Sequence, residues 1–216
     1  MITVVCYTIY HSPNSYLGLL LAERELAGLP IVVERRPIYV PKTRGVKIAD
    51  LVGGKETPAQ SSYHREDCTR WAQQYGIDLN LLPPGRFEER AARWQQSSLG
   101  REELPARAYY AAVGSGKEAL LDRALFRAAW VEGLDVNDED VVRRAVAAAG
   151  LDTHDLLTRA MRDDTKGTLD AALAAFDAAA CPGVPTWVVN GQRFWGKDRI
   201  TWLVDSVRAL VANNAR

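Results

Sequence analysis

The sequence predicts an α/β fold: a small mixed sheet built from the two ends of the chain, with an all-helical insertion between its halves. Three observations predict it. The N-terminal end alternates strand, helix and strand patterns. The C-terminal end reads strand, tight turn, strand and helix. Between them, the alanine-, arginine- and leucine-rich stretch from Phe87 to Ala180 shows helical spacing and no convincing strand.

Ile2 to Tyr10 opens the chain with β-branched and aromatic residues over a length that suits a buried strand. Pro13 to Ala27 then spaces Leu17, Leu20, Leu21 and Leu26 as a helix does, and Gly28 stops it. The run Ile31-Val32-Val33-Glu34-Arg35-Arg36-Pro37 reads as a second strand. Two strands joined through a short helix run parallel, with a right-handed crossover. Tyr39 to Pro58 carries Gly45, Gly53, Gly54 and three lysines with little periodicity, and reads as a long irregular segment of the kind that often serves function. A helix follows over Ser61–Tyr75, stopped by Gly76, and Pro83-Pro84-Gly85 reads as a hard break.

Beyond that break, helices are expected at Arg101–Ala112, Glu118–Glu132, Asp138–Ala149, His154–Met161 and Thr168–Ala180. The texture then changes back. Pro185 to Val189 is a strand, Asn190-Gly191 a two-residue hairpin turn, and Gln192 to Trp195 the return strand. Asp198 is placed to cap a last helix that runs to Val211. The order β-α-β, helical insertion, β-β-α is that of a thioredoxin-like fold, with residues 1–80 and 181–216 forming the core domain and residues 81–180 the insertion.

Composition narrows the function. The 216 residues hold 27 Lys and Arg against 27 Asp and Glu, so no overall field draws the chain to nucleic acid or an anionic membrane. A small-molecule partner is expected. Cys6, Cys68 and Cys181 are odd in number, far apart, and match neither zinc-ligand nor Cys-x-x-Cys spacing. They point to a reducing compartment and to no metal site. The first residues lack the basic region of a secretion signal, and no apolar run approaches the length that spans a bilayer. A cytoplasmic protein is expected.

The chemistry gathers at His11-Ser12-Pro13-Asn14-Ser15-Tyr16, the turn from the first strand into the first helix. Ser12 is placed to be the N-cap, and Pro13 sits where its missing N–H is no loss. A hydroxyl is thereby held over a positive helix end, where an anion is stabilised or the pKa of a thiol is lowered. On the turn alone, a serine that caps a helix and does nothing more is the ordinary reading. The second feature is Val184-Pro185, an X-Pro bond entering a strand and therefore a candidate for cis. A cis bend there leaves the Val184 backbone to pair with an extended peptide; an ordinary trans proline at a strand start is the alternative.

Four segments carry a resemblance: Ser12-Pro13-Asn14-Ser15-Tyr16-Leu17-Gly18, Arg70-Trp71-Ala72-Gln73-Gln74-Tyr75-Gly76-Ile77, Gly183-Val184-Pro185-Thr186, and Phe194-Trp195-Gly196-Lys197-Asp198-Arg199. In this order, around a helical insertion, the chain resembles the 2-hydroxychromene-2-carboxylate isomerase and kappa-class glutathione transferase family, within the wider DsbA-like group. DsbA-like disulfide oxidoreductases have Cys-Pro-x-Cys at the turn. Here Ser12 and Ser15 replace both sulfurs, so this turn cannot form a mixed disulfide.

The resemblance implies glutathione as cofactor, with the Ser12 hydroxyl as the catalytic donor to its thiolate. It implies that Val184 pairs with the cysteinyl backbone beside cis Pro185, and that Trp195, Gly196, Lys197 and Asp198 hold the γ-glutamyl end. Carboxylate against helix N–H groups and ammonium against Asp198 is sensible chemistry, although a plain helix cap is the other reading of Asp198. The Trp195 ring is expected in the core. Substrate contacts are implied at Val46, Lys47, Thr57 and Arg86, with Lys47 as the cation for an aromatic acid. The implied reaction is cis-trans isomerisation of an aromatic enone acid by reversible thiolate addition, in a homodimer serving aromatic-compound breakdown. A kappa-like transferase or peroxidase, and a non-catalytic glutathione-binding protein, are the alternatives. The chain departs from the family pattern at Ile9, His11 and Lys197; His11 is either a proton shuttle or a polar turn residue.

Overall fold

The computed structural model describes residues 1–44 and 58–214. Contacts group the chain into two compact units, one of Met1–Ile38 with Asp170–Arg216, the other of Tyr39–Leu169. The sequence-based boundary at residue 80 follows the texture of the chain. The contacts follow packing, and they place the helix before residue 80 with the other helices.

The first unit holds the sheet. Strand β1 (Ile2–Thr8) pairs in parallel with β2 (Ile31–Pro37), joined by helix α1 (Pro13–Glu25); β3 (Thr186–Val189) is antiparallel to β1, and β4 (Gln192–Trp195) to β3. The order is β2-β1-β3-β4, the mixed sheet of a thioredoxin-like fold. The central strands are covered on both faces where they pair: Cys6 and Trp187, opposite each other on one face, and Tyr7 and Thr186, opposite each other on the other, are all buried. A last helix (Ile200–Asn214) buries Ile200, Leu203, Val204 and Val207, an i, i+3, i+4, i+7 stripe. Helix α1 buries Leu17, Leu19, Leu21 and Ala22. Each such leucine contributes about 1.5–3 kcal/mol when taken from water. Phe176 meets the Tyr7 ring edge-on, with centroids 5.5 Å apart.

The second unit is helical. It comprises a one-turn 3-10 segment (Lys42–Arg44), α2 (Pro58–Tyr75), α3 (Pro84–Gln96), α4 (Glu103–Ala112), α5 (Glu118–Trp130), α6 (Glu139–Ala148), α7 (Thr153–Ala160) and the start of α8 (Asp163–Ala178). The final helix is therefore α9. Val40 and Arg101 exchange backbone hydrogen bonds of 2.9 and 3.0 Å, which ties the segment after β2 to the start of α4. Arg101 is buried there, and desolvation pushes its guanidinium pKa down while Glu102 opposes the fall. Among the described residues, no helix is long and apolar enough to cross a membrane.

Three expectations need correction. Pro83-Pro84 does not merely break the chain: Pro83, with φ −55° and ψ 148°, precedes Pro84 at the first position of α3, which the sequence reading missed. Helix α8 starts at Asp163 and not at Thr168, because Asp163 and Asp164 suit the positive first turn and one internal glycine, Gly167, is tolerated. Asp198 does not cap the last helix. It lies inside a 3-10 turn, Lys197–Arg199, whose N-cap is Gly196, and α9 begins at Ile200.

Candidate functional site

The site is built where β1 gives way to α1. Ser12 has extended backbone, φ −96° and ψ 115°, and its N–H donates to the Ile9 carbonyl at 3.1 Å. Its Oγ accepts the Ser15 N–H at 3.2 Å, the N-cap bond that the turn sequence predicts. Ser15, fully buried, in turn accepts the Ile9 N–H at 3.4 Å. The turn is thus pinned from both sides, and the Ser15 hydroxyl is a structural part of it that the sequence reading left without a role. The Ser12 O–H proton makes no bond to protein among the described residues. A half-exposed hydroxyl over a helix N-terminus remains able to donate outward.

Beside this turn stands the head of β3. Tyr7 pairs with Thr186, so residues 184 and 185 lie where β1 ends. The Val184–Pro185 bond is cis. The Thr186 hydroxyl donates to the Gly183 carbonyl at 2.6 Å, and the Gly196 N–H donates to the Pro185 carbonyl at 2.9 Å. The Val184 N–H and C=O take no hydrogen bond among the described residues, and a half-buried peptide group in that state offers both to an extended ligand.

Two glycines allow this approach. A Cβ on Gly18 of α1 would stand 3.0 Å from Pro185 Cγ and 3.6 Å from Lys197 Cα, so α1, the proline and the turn after β4 meet at one point. A Cβ on Gly183 would fall 2.8 Å from Trp195 Nε1. The Trp195 ring, expected in the core, is instead 54 % exposed. Strand β4 is an edge strand whose other residues are also at least partly exposed, and the ring lies against Gly183. Lys197 is 4 % exposed, and Gly196 has φ 100°, which a residue with a side chain rarely adopts. The Asp198 carboxylate accepts from Arg199 Nη1 at 2.5 Å.

Ser12, Val184, Pro185, Trp195, Gly196, Lys197 and Asp198 therefore all lie in the first unit. Val46, Lys47 and Thr57 fall outside the described residues, and Arg86 lies in the first turn of α3, in the second unit. His11 is half-buried next to Ser12. Sequence reasoning overlooked Gly18 and Gly183 as contact points. Their signal was only a glycine inside a helix pattern and one before a Val-Pro pair.

None of the three cysteines is a nucleophile for this turn. Cys6 and Cys68 are fully buried; Cys181 is half-buried, and burial pushes its thiol pKa up, with Arg193 partly opposing. A raised pKa means less thiolate at neutral pH. In the native protein, iodoacetamide is expected to label Cys181 alone and slowly, with a rate that rises through the alkaline range. Arg193→Gln is expected to slow it further. Mass spectrometry of labelled peptides reads both; fast labelling of Cys181 at neutral pH contradicts the burial argument.

A hydroxyl-capped β1–α1 turn beside a cis proline at the head of a strand defines a thioredoxin-type protein, and the chain belongs to the DSBA-like thioredoxin domain family, whose model matches residues 3–208. Within that class, the chain is similar to the 2-hydroxychromene-2-carboxylate isomerase of Sphingobium xenophagum, 25 % identical over 201 residues that cover 93 % of this chain and 95 % of the relative. Among solved structures, a 2-hydroxychromene-2-carboxylate isomerase superimposes with a TM-score of 0.76 at 21 % identity, covering 99 % of this chain and 98 % of the other. The cytosolic disulfide reductase DsbM from Pseudomonas aeruginosa, solved with GSH, shares the fold at a TM-score of 0.62 and 17 % identity, with 99 % of each chain covered.

Proposed function

We propose that the chain is a glutathione-dependent isomerase of the 2-hydroxychromene-2-carboxylate type, a cytoplasmic homodimer that acts on an aromatic enone acid. The observation that carries this reading is the Ser12 hydroxyl. It caps α1, keeps its proton for an outside acceptor, and sits beside a cis proline whose preceding peptide group is uncommitted. The likeness to relatives named as isomerases selects this reading over other uses of the fold.

The residues fit glutathione. Ser12 donates to the sulfur while the N-terminus of α1 favours its negative charge. Val184 N–H and C=O pair with the cysteinyl backbone as a strand edge does, and the Trp195-Gly196-Lys197-Asp198 turn receives the γ-glutamyl end. Glutathione supplies the thiol that adds reversibly to the conjugated double bond of the substrate, permits rotation about what has become a single bond, and departs with nothing oxidised or consumed. The resemblance assigns the contacts to the aromatic acid to Val46, Lys47, Thr57 and Arg86, with Lys47 as the cation for its carboxylate.

Two assays test the reading together. Glutathione is expected to bind in a calorimetric titration, and 2-hydroxychromene-2-carboxylate is expected to equilibrate with its trans isomer only when glutathione is present, followed by absorbance. Conjugation of 1-chloro-2,4-dinitrobenzene without isomerisation would move the assignment to a kappa-like transferase. Binding with neither reaction would leave a glutathione-binding protein, and no binding would end the reading.

A further inference from the structure

Trp202 contributes nothing to the core. It is 60 % exposed on α9, off the stripe formed by Ile200, Leu203, Val204 and Val207. What its ring touches is a cation: Arg199 Cζ lies 4.7 Å from the ring centroid. Arg199 passes the contact on, donating from Nη1 to Asp198 Oδ2 at 2.5 Å. Asp198 Oδ1 in turn folds back to within 2.6 Å of the point that a Cβ on Gly196 would occupy. Three side chains thus run in series from the helix surface to the turn after β4.

The middle link is weak on its own. The paired side chains of Arg199 and Asp198 are 42 % and 48 % exposed, where water competes with the ion pair and neither side chain is confined. A ring stacked on the guanidinium supplies what the pair lacks, a fixed plane and fewer rotamers for the arginine. An exposed cation over an indole is worth about 0.5–1 kcal/mol, enough to hold one arrangement in preference to its neighbours.

We propose that Trp202 is a positioning residue for the amino-acid end of a thiol peptide. By stacking on Arg199 it fixes a guanidinium and a carboxylate side by side, a pair of charges that matches the carboxylate and ammonium of an α-amino acid. The inference rests on the glutathione reading above and adds to it a residue outside the binding turn itself. It also accounts for the placement of a tryptophan in water one turn after an arginine, across the junction of the 3-10 turn and α9.

The test compares wild type, Trp202→Ala and Trp202→Phe by calorimetric titration with two probes, glutathione and cysteinylglycine, which lacks the γ-glutamyl residue. Trp202→Ala is expected to bind glutathione about two- to fivefold more weakly, the range that an exposed cation–π contact spans. Trp202→Phe is expected to restore most of the loss, and cysteinylglycine to bind all three proteins alike. Unchanged glutathione binding in Trp202→Ala overturns the proposal, and so does an equal loss for both probes, which marks a merely structural role. Arg199 side-chain NMR signals are expected to carry a ring-current shift that Trp202→Ala removes. Its absence from wild type overturns the stacking without reference to any ligand. A wild-type protein that shows the shift and binds neither probe overturns the glutathione reading, and with it the role assigned to Trp202 but not the contact.

Discussion

Replacing Ser12 by alanine is expected to lower isomerase turnover about 100-fold, the cost of removing one preorganised donor from a developing or bound anion. The hydroxyl has two separable duties. Toward the protein it accepts the Ser15 N–H at 3.2 Å, and losing that cap costs about 1 kcal/mol of stability. Toward the ligand, under the function proposed above, it would donate, and that donation would keep the sulfur ionised. The two are told apart by pH. A free thiol ionises near about 8.5, and a hydrogen bond to the thiolate together with a helix N-terminus lowers that value. Wild type is therefore expected to hold bound glutathione as thiolate at neutral pH, visible as ultraviolet absorbance. In Ser12→Ala the bound thiol moves back toward its ordinary range, so its activity rises with pH while wild type stays level. Ser12→Asp, whose carboxylate accepts the Ser15 N–H as a cap but has no proton to donate, is expected to restore stability but not the sulfur contact. A Ser12→Ala variant with the level pH profile and thiolate absorbance of wild type would remove serine from the mechanism.

How much of this could be read in the sequence depends on whether the cause was local. Asn190-Gly191 needs positive φ at both positions and has it, 48° and 76°, so the hairpin was legible from two letters. Ser12 before Pro13 was legible as a cap for the same reason: the partner, Ser15, is three residues away. The helix Pro84–Gln96 was not, because two prolines mark a helix start and a chain break equally well. Trp195 was misplaced because a four-residue edge strand is too short for alternation to show which face is covered. Gly18 and Gly183 matter through atoms far along the chain, Pro185 Cγ and Trp195 Nε1, and no spacing rule records such contacts. Charge spacing is silent on burial as well. Glu103-Arg107 has the same i, i+4 spacing as the exposed pairs Glu66–Arg70 and Glu139–Arg143, yet only the first is buried.

That difference in burial sets the second large effect. Arg107→Met is expected to destabilise the protein by about 3–5 kcal/mol, the usual cost of leaving one member of a buried ion pair behind, against a total that is only about 5–15 kcal/mol for a folded domain. Arg107 donates from Nε and Nη2 to Glu103 Oε1 at 2.9 and 2.6 Å, and Glu103 Oε2 accepts the Gly100 N–H at 2.6 Å. Glu103 is 5 % and Arg107 8 % exposed, so water cannot replace either bond. The carboxylate does more than neutralise. It holds Gly100, where a Cβ would stand 2.7 Å from Tyr39 Cδ2, and the next residue, Arg101, makes the backbone bridge to Val40. Glu103→Gln in the Arg107→Met background removes the stranded charge and keeps an acceptor for Gly100. The double variant is therefore expected to recover most of the loss. By contrast, breaking the exposed pair with Arg143→Met is expected to cost less than about 1 kcal/mol. Denaturant titration of wild type, Arg107→Met, Glu103→Gln and the double variant completes the cycle. A single Arg107→Met variant no less stable than the double would show that Glu103 is not charged in the fold, and would move the anchoring of Gly100 to a neutral hydrogen bond.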